Sequence, residues 1–310
     1  MNTTTNVAIE RLGPPREPGL PSGFADVFES LLVSTPRLRH HAVVGGRGPA
    51  LLLINGWPQT WYAWRHVLPV LAEHATVVAV EPRGSGRSDK PGDGYDTGSL
   101  AADLAAVMEE LGHEEYAVLG HDVGMWIGFA LAADHPERVT RLAVTEAAIP
   151  GVSADPAFFG SDAANDRLFH FGFNRLGRLN EELVRGREAL YFGYQFATKT
   201  APGRQLDPHA VEVYVAALTE DPEALRASFE PYRATEETVR QNARRRGTRL
   251  SLPVLAVGGS ASVGAAVGAT MSAVADDVTA RVLEGCGHFP AEEQPEEFLA
   301  ELLPFLRGRR

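Results

Sequence analysis

Six short, unalternating and mostly apolar runs constrain this chain more than any other feature: residues 50–55, 76–80, 116–119, 142–145, 254–257 and 278–283. A strand with one face in water alternates apolar and polar residues. A strand covered on both faces does not, so these runs fit a buried parallel sheet. Helical spacing of apolar residues fills the gaps between them, at 100–111, at 125–133 (stopped ahead of Pro136) and at 298–306. Strand and helix in alternation predict a doubly wound, mostly parallel α/β sheet with right-handed crossovers.

Residues 150–250 break that rhythm. They carry no clear buried strand, follow a helical pattern and are rich in aromatics, including Phe158, Phe159, Phe169, Phe171, Phe173, Tyr191, Phe192, Tyr194 and Phe196. The expected organisation is a core domain over 1–149, a helical cap over 150–250, and the rest of the core over 251–310. Within the first part, residues 1–22 are polar and then proline-rich, which predicts an extended arm.

With 44% apolar and 22% charged residues in 310, the chain can build a sizeable core without a metal or disulfide staple. The net charge of −11 argues against a nucleic-acid partner, and the short basic end at Arg307, Arg309 and Arg310 reads as a solvated tail. A single cysteine, Cys286, allows no intrachain disulfide and suggests a reducing compartment. No apolar stretch reaches signal-peptide or membrane-spanning length, so a cytoplasmic protein is expected, with room left for a homodimer. No metal or cofactor motif is present: there is no H-E-x-x-H, cysteine cluster or phosphate loop.

The chemistry centres on Gly120-His121-Asp122-Val123-Gly124, which joins the third run to a helix. A nucleophile held in a tight strand–turn–helix elbow needs small residues two positions to either side, and both are glycine. The elbow residue is an aspartate. Its carboxylate is already an anion near neutral pH, so it can attack saturated carbon without a base and displace an alkyl oxygen or a halide. Attack on a peptide or ester carbonyl would give a labile anhydride instead. The competing reading makes Asp122 a helix cap.

An ester formed on Asp122 must then be hydrolysed, which takes a neutral histidine whose tautomer an acid fixes. Of ten histidines, only His288 follows the last run in a loop, Gly285-Cys286-Gly287-His288-Phe289. His40, His41, His66, His74, His113, His135 and His209 sit in polar or turn contexts and read as surface residues, and strand alternation turns His121 away from the site. The loop after the fifth run, 258–264, has no carboxylate. Glu146, at the end of the fourth run among small residues, is the acid left to orient His288, unless it is merely an exposed strand end. Cys286 is taken as a packing residue rather than half of a Cys–His dyad.

Gly56-Trp57-Pro58 follows the first run and Gly84-Ser85-Gly86-Arg87-Ser88 the second. With these segments and the elbow, the chain from about Gly23 onward resembles the epoxide hydrolase and haloalkane dehalogenase group of α/β-hydrolases. That resemblance implies the α/β-hydrolase fold, with the Trp57 and Val123 backbone N–H groups forming an oxyanion hole. Leu168-Phe169-His170-Phe171, Ser228-Phe229-Glu230-Pro231-Tyr232-Arg233, Trp61-Tyr62-Ala63-Trp64 and Val239-Arg240-Gln241-Asn242 are similar to a bacterial subgroup of epoxide hydrolases, typified by a secreted factor that inhibits the cystic-fibrosis chloride channel. It implies that His170 and Tyr232 bind and protonate the epoxide oxygen. One departure is Asn55, where the family has histidine. An amide can still brace that turn.

Epoxide hydrolysis is therefore the expected activity, on a small apolar or aryl epoxide with water as co-substrate. Dehalogenation with the same three residues is the alternative. A halide leaving group is commonly met by side-chain N–H donors at the positions of Trp57 and Val123, and a haloacid by arginines beside the nucleophile, where Val123 and Trp126 stand. A binding protein on a retired scaffold is the third reading.

Overall fold

The computed structural model describes residues 8–154 and 160–308. Nine strands form one sheet: β1 (Ile9–Gly13), β2 (Phe28–Ser34), β3 (Arg39–Gly46), β4 (Ala50–Ile54), β5 (Thr76–Val80), β6 (Tyr116–His121), β7 (Val139–Thr145), β8 (Val254–Gly259) and β9 (Val278–Leu283). Their order is β1-β2-β3-β5-β4-β6-β7-β8-β9. The six apolar runs are β4 to β9, and they pair parallel throughout. Every residue of β4 and β8 is buried, as strands covered on both faces require.

The antiparallel strands β1, β2 and β3 were not anticipated. β2 alternates buried and half-buried residues, and β3 carries Arg39, His40 and His41, so neither reads as a run. Part of the expected N-terminal arm is β1, paired with β2 from Ile9 opposite Val33.

His40 and His41 correct the surface reading given to them: both are fully buried. His41 Nε2 lies 2.5 Å from Ser30 Oγ and its Nδ1 2.9 Å from Glu81 Oε2. Among the described residues His40 has no hydrogen-bond partner on either ring nitrogen, and burial pushes it below the ordinary histidine value. His66, His74 and His209 are exposed, and His113 and His135 half-buried.

The helix Val123–Asp134 is buried on nearly every side between the sheet and the helix Thr97–Glu110. Among the described residues, six helices separate β7 from β8: Asp162–Phe173, Leu179–Val184, Glu188–Lys199, Pro208–Ala217, Ala224–Arg233 and Thr235–Arg245. Gln241 donates to Asp96 Oδ1 (2.6 Å), and Arg245 pairs with Asp134 (2.5 Å), tying the last of these helices to the sheet layer. Phe158, Phe159, Arg309 and Arg310 lie outside the described residues. No helix among the described residues is long and apolar enough to cross a membrane.

The carboxyl ends of β4, β6, β7 and β9 open on one edge of the sheet. Chemistry-bearing loops of open α/β sheets gather at that edge.

Candidate active site

Asp122 follows β6 with φ 53° and ψ −120°, a conformation that L residues rarely adopt. The elbow closes only because its flanks lack Cβ atoms. A Cβ on Gly120 would overlap the Gly124 carbonyl, and one on Gly124 would overlap the Ile54 carbonyl. Although Asp122 precedes the helix Val123–Asp134, its side chain makes no capping hydrogen bond, which removes the helix-cap reading.

The Asp122 carboxylate faces the turn after β4. The Trp57 N–H donates to Oδ1 at 2.9 Å. Val123 is the first residue of its helix, so its N–H has no intrahelical acceptor. Asn55 braces the turn by donating Nδ2 to the Gln59 carbonyl at 2.7 Å, with Ser85 Oγ 3.4 Å away. An amide thus performs the bracing expected at this position.

His288 reaches the other carboxylate oxygen, its Nε2 lying 3.3 Å from Asp122 Oδ2. Its Nδ1 lies 3.2 Å from Glu146 Oε2. Glu146 is 1% exposed, so it is no surface strand end. It adopts φ 63° after β7 and accepts from Gly259 N at 2.6 Å and Val263 N at 3.4 Å. The loop after β8 that lacks a carboxylate supplies backbone donors to the one on β7. His121 packs its ring 4.9 Å from that of His288 and bonds Thr145 Oγ1 through Nδ1 (2.8 Å). It is turned off the nucleophile, as alternation predicts, but it backs the base.

The electrostatics follow from this line of groups. Burial works to raise the Asp122 carboxyl, but His288, Lys199 and His121 outweigh it and hold the acid below the usual carboxylate range. Burial works to lower His288, but its contacts with Asp122 and Glu146 prevail and raise it. Burial, aided by His288, pushes His121 down to about 3, so it stays neutral. Cys286 is buried, and burial with Glu293 pushes its thiol up to about 12, which suits packing rather than reactivity.

His170 and Tyr232 stand over the nucleophile around the Trp57 indole. The His170 ring stacks on Trp57 with centroids 5.4 Å apart, and Tyr232 meets it edge-on at 5.3 Å. The two cap rings are 5.7 Å apart. Tyr191 and Phe192 close the other sides of the indole. Burial, then the Asp122 charge, holds the Tyr232 hydroxyl well above its ordinary value, so it remains a donor. The seven residues singled out in the sequence thus come together.

Lys199 was missed. It ends the helix Glu188–Lys199, buried, with Nζ 3.3 Å from His170 Nε2 and 5.2 Å from the Trp57 ring centroid. The available signal was its place on the face that carries Phe192 and Phe196, where a lone lysine is out of keeping. An apolar cavity of about 60 Å³ lies nearby, lined by Asn55, Trp57, Gly84, Val123, Ala227 and Pro231 among others. Neither Asp122 nor His288 lines it.

Glu146→Gln keeps the shape of the orienting side chain but removes the charge and favours the wrong histidine tautomer. A fall in kcat of about 10³–10⁴-fold is expected, with little change in thermal midpoint, read by steady-state kinetics and a melt.

The α/β hydrolase fold family matches residues 49–188. The chain is 32% identical over 279 residues to the soluble epoxide hydrolase of Corynebacterium sp. (strain C12), covering 88% of this chain and 95% of that one. It is 34% identical over 215 residues to a fluoroacetate dehalogenase of Burkholderia sp, covering 67% and 69%. Among solved structures, wild-type Cfl2 from Burkholderia cenocepacia superimposes with a TM-score of 0.85 at 36% identity, over 90% of this chain and 96% of that one. The fold, the elbow and these likenesses agree: the chain belongs to the epoxide hydrolase family of α/β-hydrolases.

Proposed function

We propose that the protein opens epoxides to vicinal diols through a covalent ester on Asp122. One observation carries the reading: an ionised aspartate occupies the elbow, with the Trp57 N–H on one oxygen and the Glu146-held His288 beside the other. Asp122 attacks an epoxide carbon from the face opposite the ring oxygen. Tyr232, beside the His170 ring, hydrogen-bonds the departing oxygen, and the product is a hydroxyalkyl ester.

Ester formation changes the base. Asp122 loses the charge that helps to raise His288, so His288 becomes easier to deprotonate once it is needed. It then takes a proton from water, and hydroxide adds to the ester carbonyl. The Trp57 and Val123 N–H groups hold the resulting oxyanion. Collapse releases the diol. The helices between β7 and β8 act as the cap over this site, and the rings of Trp57, Phe171, Tyr191 and Phe192 suit an apolar or aryl substituent.

The dehalogenase relative keeps a second reading in view. Against it, Val123 offers no side-chain donor, and Trp126 gives its indole N–H to the Ala148 carbonyl at 2.7 Å. The experiment is a panel of terminal and internal, alkyl and aryl epoxides, run beside 1-bromobutane and fluoroacetate. Diol formation without halide release is expected. Halide release in the absence of epoxide turnover would replace this reading with dehalogenation.

A further inference from the structure

We propose that Lys199, rather than His170, carries the proton taken up by the opening epoxide oxygen; this inference rests on the epoxide-opening reading above. The geometry of His170 leads to it. Among the described residues its Nδ1 has no hydrogen-bond partner, and its Nε2, at the tip of the ring, lies 3.3 Å from Lys199 Nζ. An ammonium has donors only. With Lys199 charged, Nε2 must therefore be the acceptor, and the single ring proton sits on Nδ1. His170 then has no proton at the end that meets the substrate.

Two further observations favour a proton on the lysine. His170 is held well below its ordinary value by burial first and the Lys199 ammonium next, so it is neutral. Burial brings Lys199 down to about 8, while the Asp122 carboxylate works the other way, so Lys199 is mostly protonated at pH 7 and is a competent acid there. The groups that feel this ammonium are Asp122 at the elbow, His170 on its helix, His288 on the base loop and His121 behind it. No carboxylate among the described residues forms an ion pair with Lys199. A buried ammonium with no ion-pair partner is costly unless it serves an anion; the Asp122 carboxylate acts on it before reaction, and the alkoxide born on ring opening succeeds that charge.

The helix end that carries Lys199 is fastened to the base loop. The His288 N–H donates to the Lys199 carbonyl at 2.9 Å, and the Ala201 N–H to Glu293 Oε2 at 2.9 Å. Donor and base are thus fixed in one frame.

The step balances. The Asp122–carbon bond forms as the carbon–oxygen bond breaks, and the alkoxide takes a proton from Lys199 Nζ, leaving a neutral amine. In the second half, His288 takes one proton of water and returns it to the departing alkoxide of the ester. Asp122 is released as a carboxylic acid, and its proton goes back to Lys199. His170 positions the lysine and accepts its hydrogen bond.

The test uses the His288→Gln variant, which should trap the ester, with styrene oxide as probe. The rate of Asp122 alkylation is read by intact mass from pH 6 to 10, with and without Lys199→Met. The parent rate should fall above about pH 8, as the lysine loses its proton. Lys199→Met should slow alkylation by about 10²-fold and abolish that fall. Lys199→Arg, whose cation does not release its proton at these pH values, should not restore the rate. A parent rate flat across the range would overturn the proposal whatever the variants do, and so would Lys199→Met alkylating at the parent rate. A Lys199 effect confined to the KM for glycidate, a carboxylate-bearing epoxide, would make the residue a substrate clamp and also overturn it. Failure of the parent to alkylate Asp122 at all would instead overturn the epoxide-opening reading itself.

Discussion

His288→Gln is expected to stop the enzyme after one turnover, with substrate held as an ester on Asp122. The glutamine cannot take a proton from water, so the hydrolytic half-reaction should fall by about 10³–10⁴-fold. Ring opening does not use the imidazole as a base and should persist. The measurement is intact mass after mixing with excess epoxide, followed by peptide mapping to Asp122. The pH dependence of the wild type carries the same information. The base must be neutral to act, so hydrolysis declines as pH falls through the His288 pKa of the ester form. That pKa lies below the value in the free enzyme, because the Asp122 charge that helps raise it is gone. The acid limb of single-turnover ester hydrolysis should therefore sit at lower pH than the His288 titration followed by NMR in the free enzyme.

Asp122→Ala should have the larger effect. With no nucleophile neither half-reaction can run, and a loss of about 10⁴-fold or more in kcat/KM is expected. No mass adduct should form. The change also removes a carboxylate in contact with His288. The His288 pKa should drop in this variant, since burial then opposes only Glu146. Kinetics, intact mass and histidine NMR together separate loss of the nucleophile from loss of the fold.

Much of this architecture is written in local residue patterns, and the exceptions have physical causes. β4 to β8 are legible because strands largely buried on both faces need apolar runs, and β9, exposed in its middle at the sheet edge, is legible from Val278, Val282 and Leu283. β1 to β3 are not, because an antiparallel strand near the sheet edge tolerates polar residues. His40 and His41 look like surface residues until Ser30, Glu81 and Asp103 are folded around them. Asp122 is legible through the two glycines that its strained turn demands. Glu146 could be found by elimination, but its backbone donors Gly259 and Val263 are more than a hundred residues away in sequence. Lys199 shares a helix face with Phe192 and Phe196, but its local pattern supports an ordinary reading equally well. A lysine at a helix end ordinarily reads as a solvated charge favoured by the helix dipole. Only the packing of the helix Glu188–Lys199 against the base loop turns it inward.

The most direct measurement is a single turnover in ¹⁸O-labelled water with enzyme in excess over epoxide, followed by mass analysis of the Asp122 peptide. If an ester on Asp122 is cleaved by water at its carbonyl, the label enters the Asp122 carboxylate and the first diol carries none. Label in the diol with an unlabelled Asp122 would mean that water attacked the epoxide directly, and would contradict the covalent account.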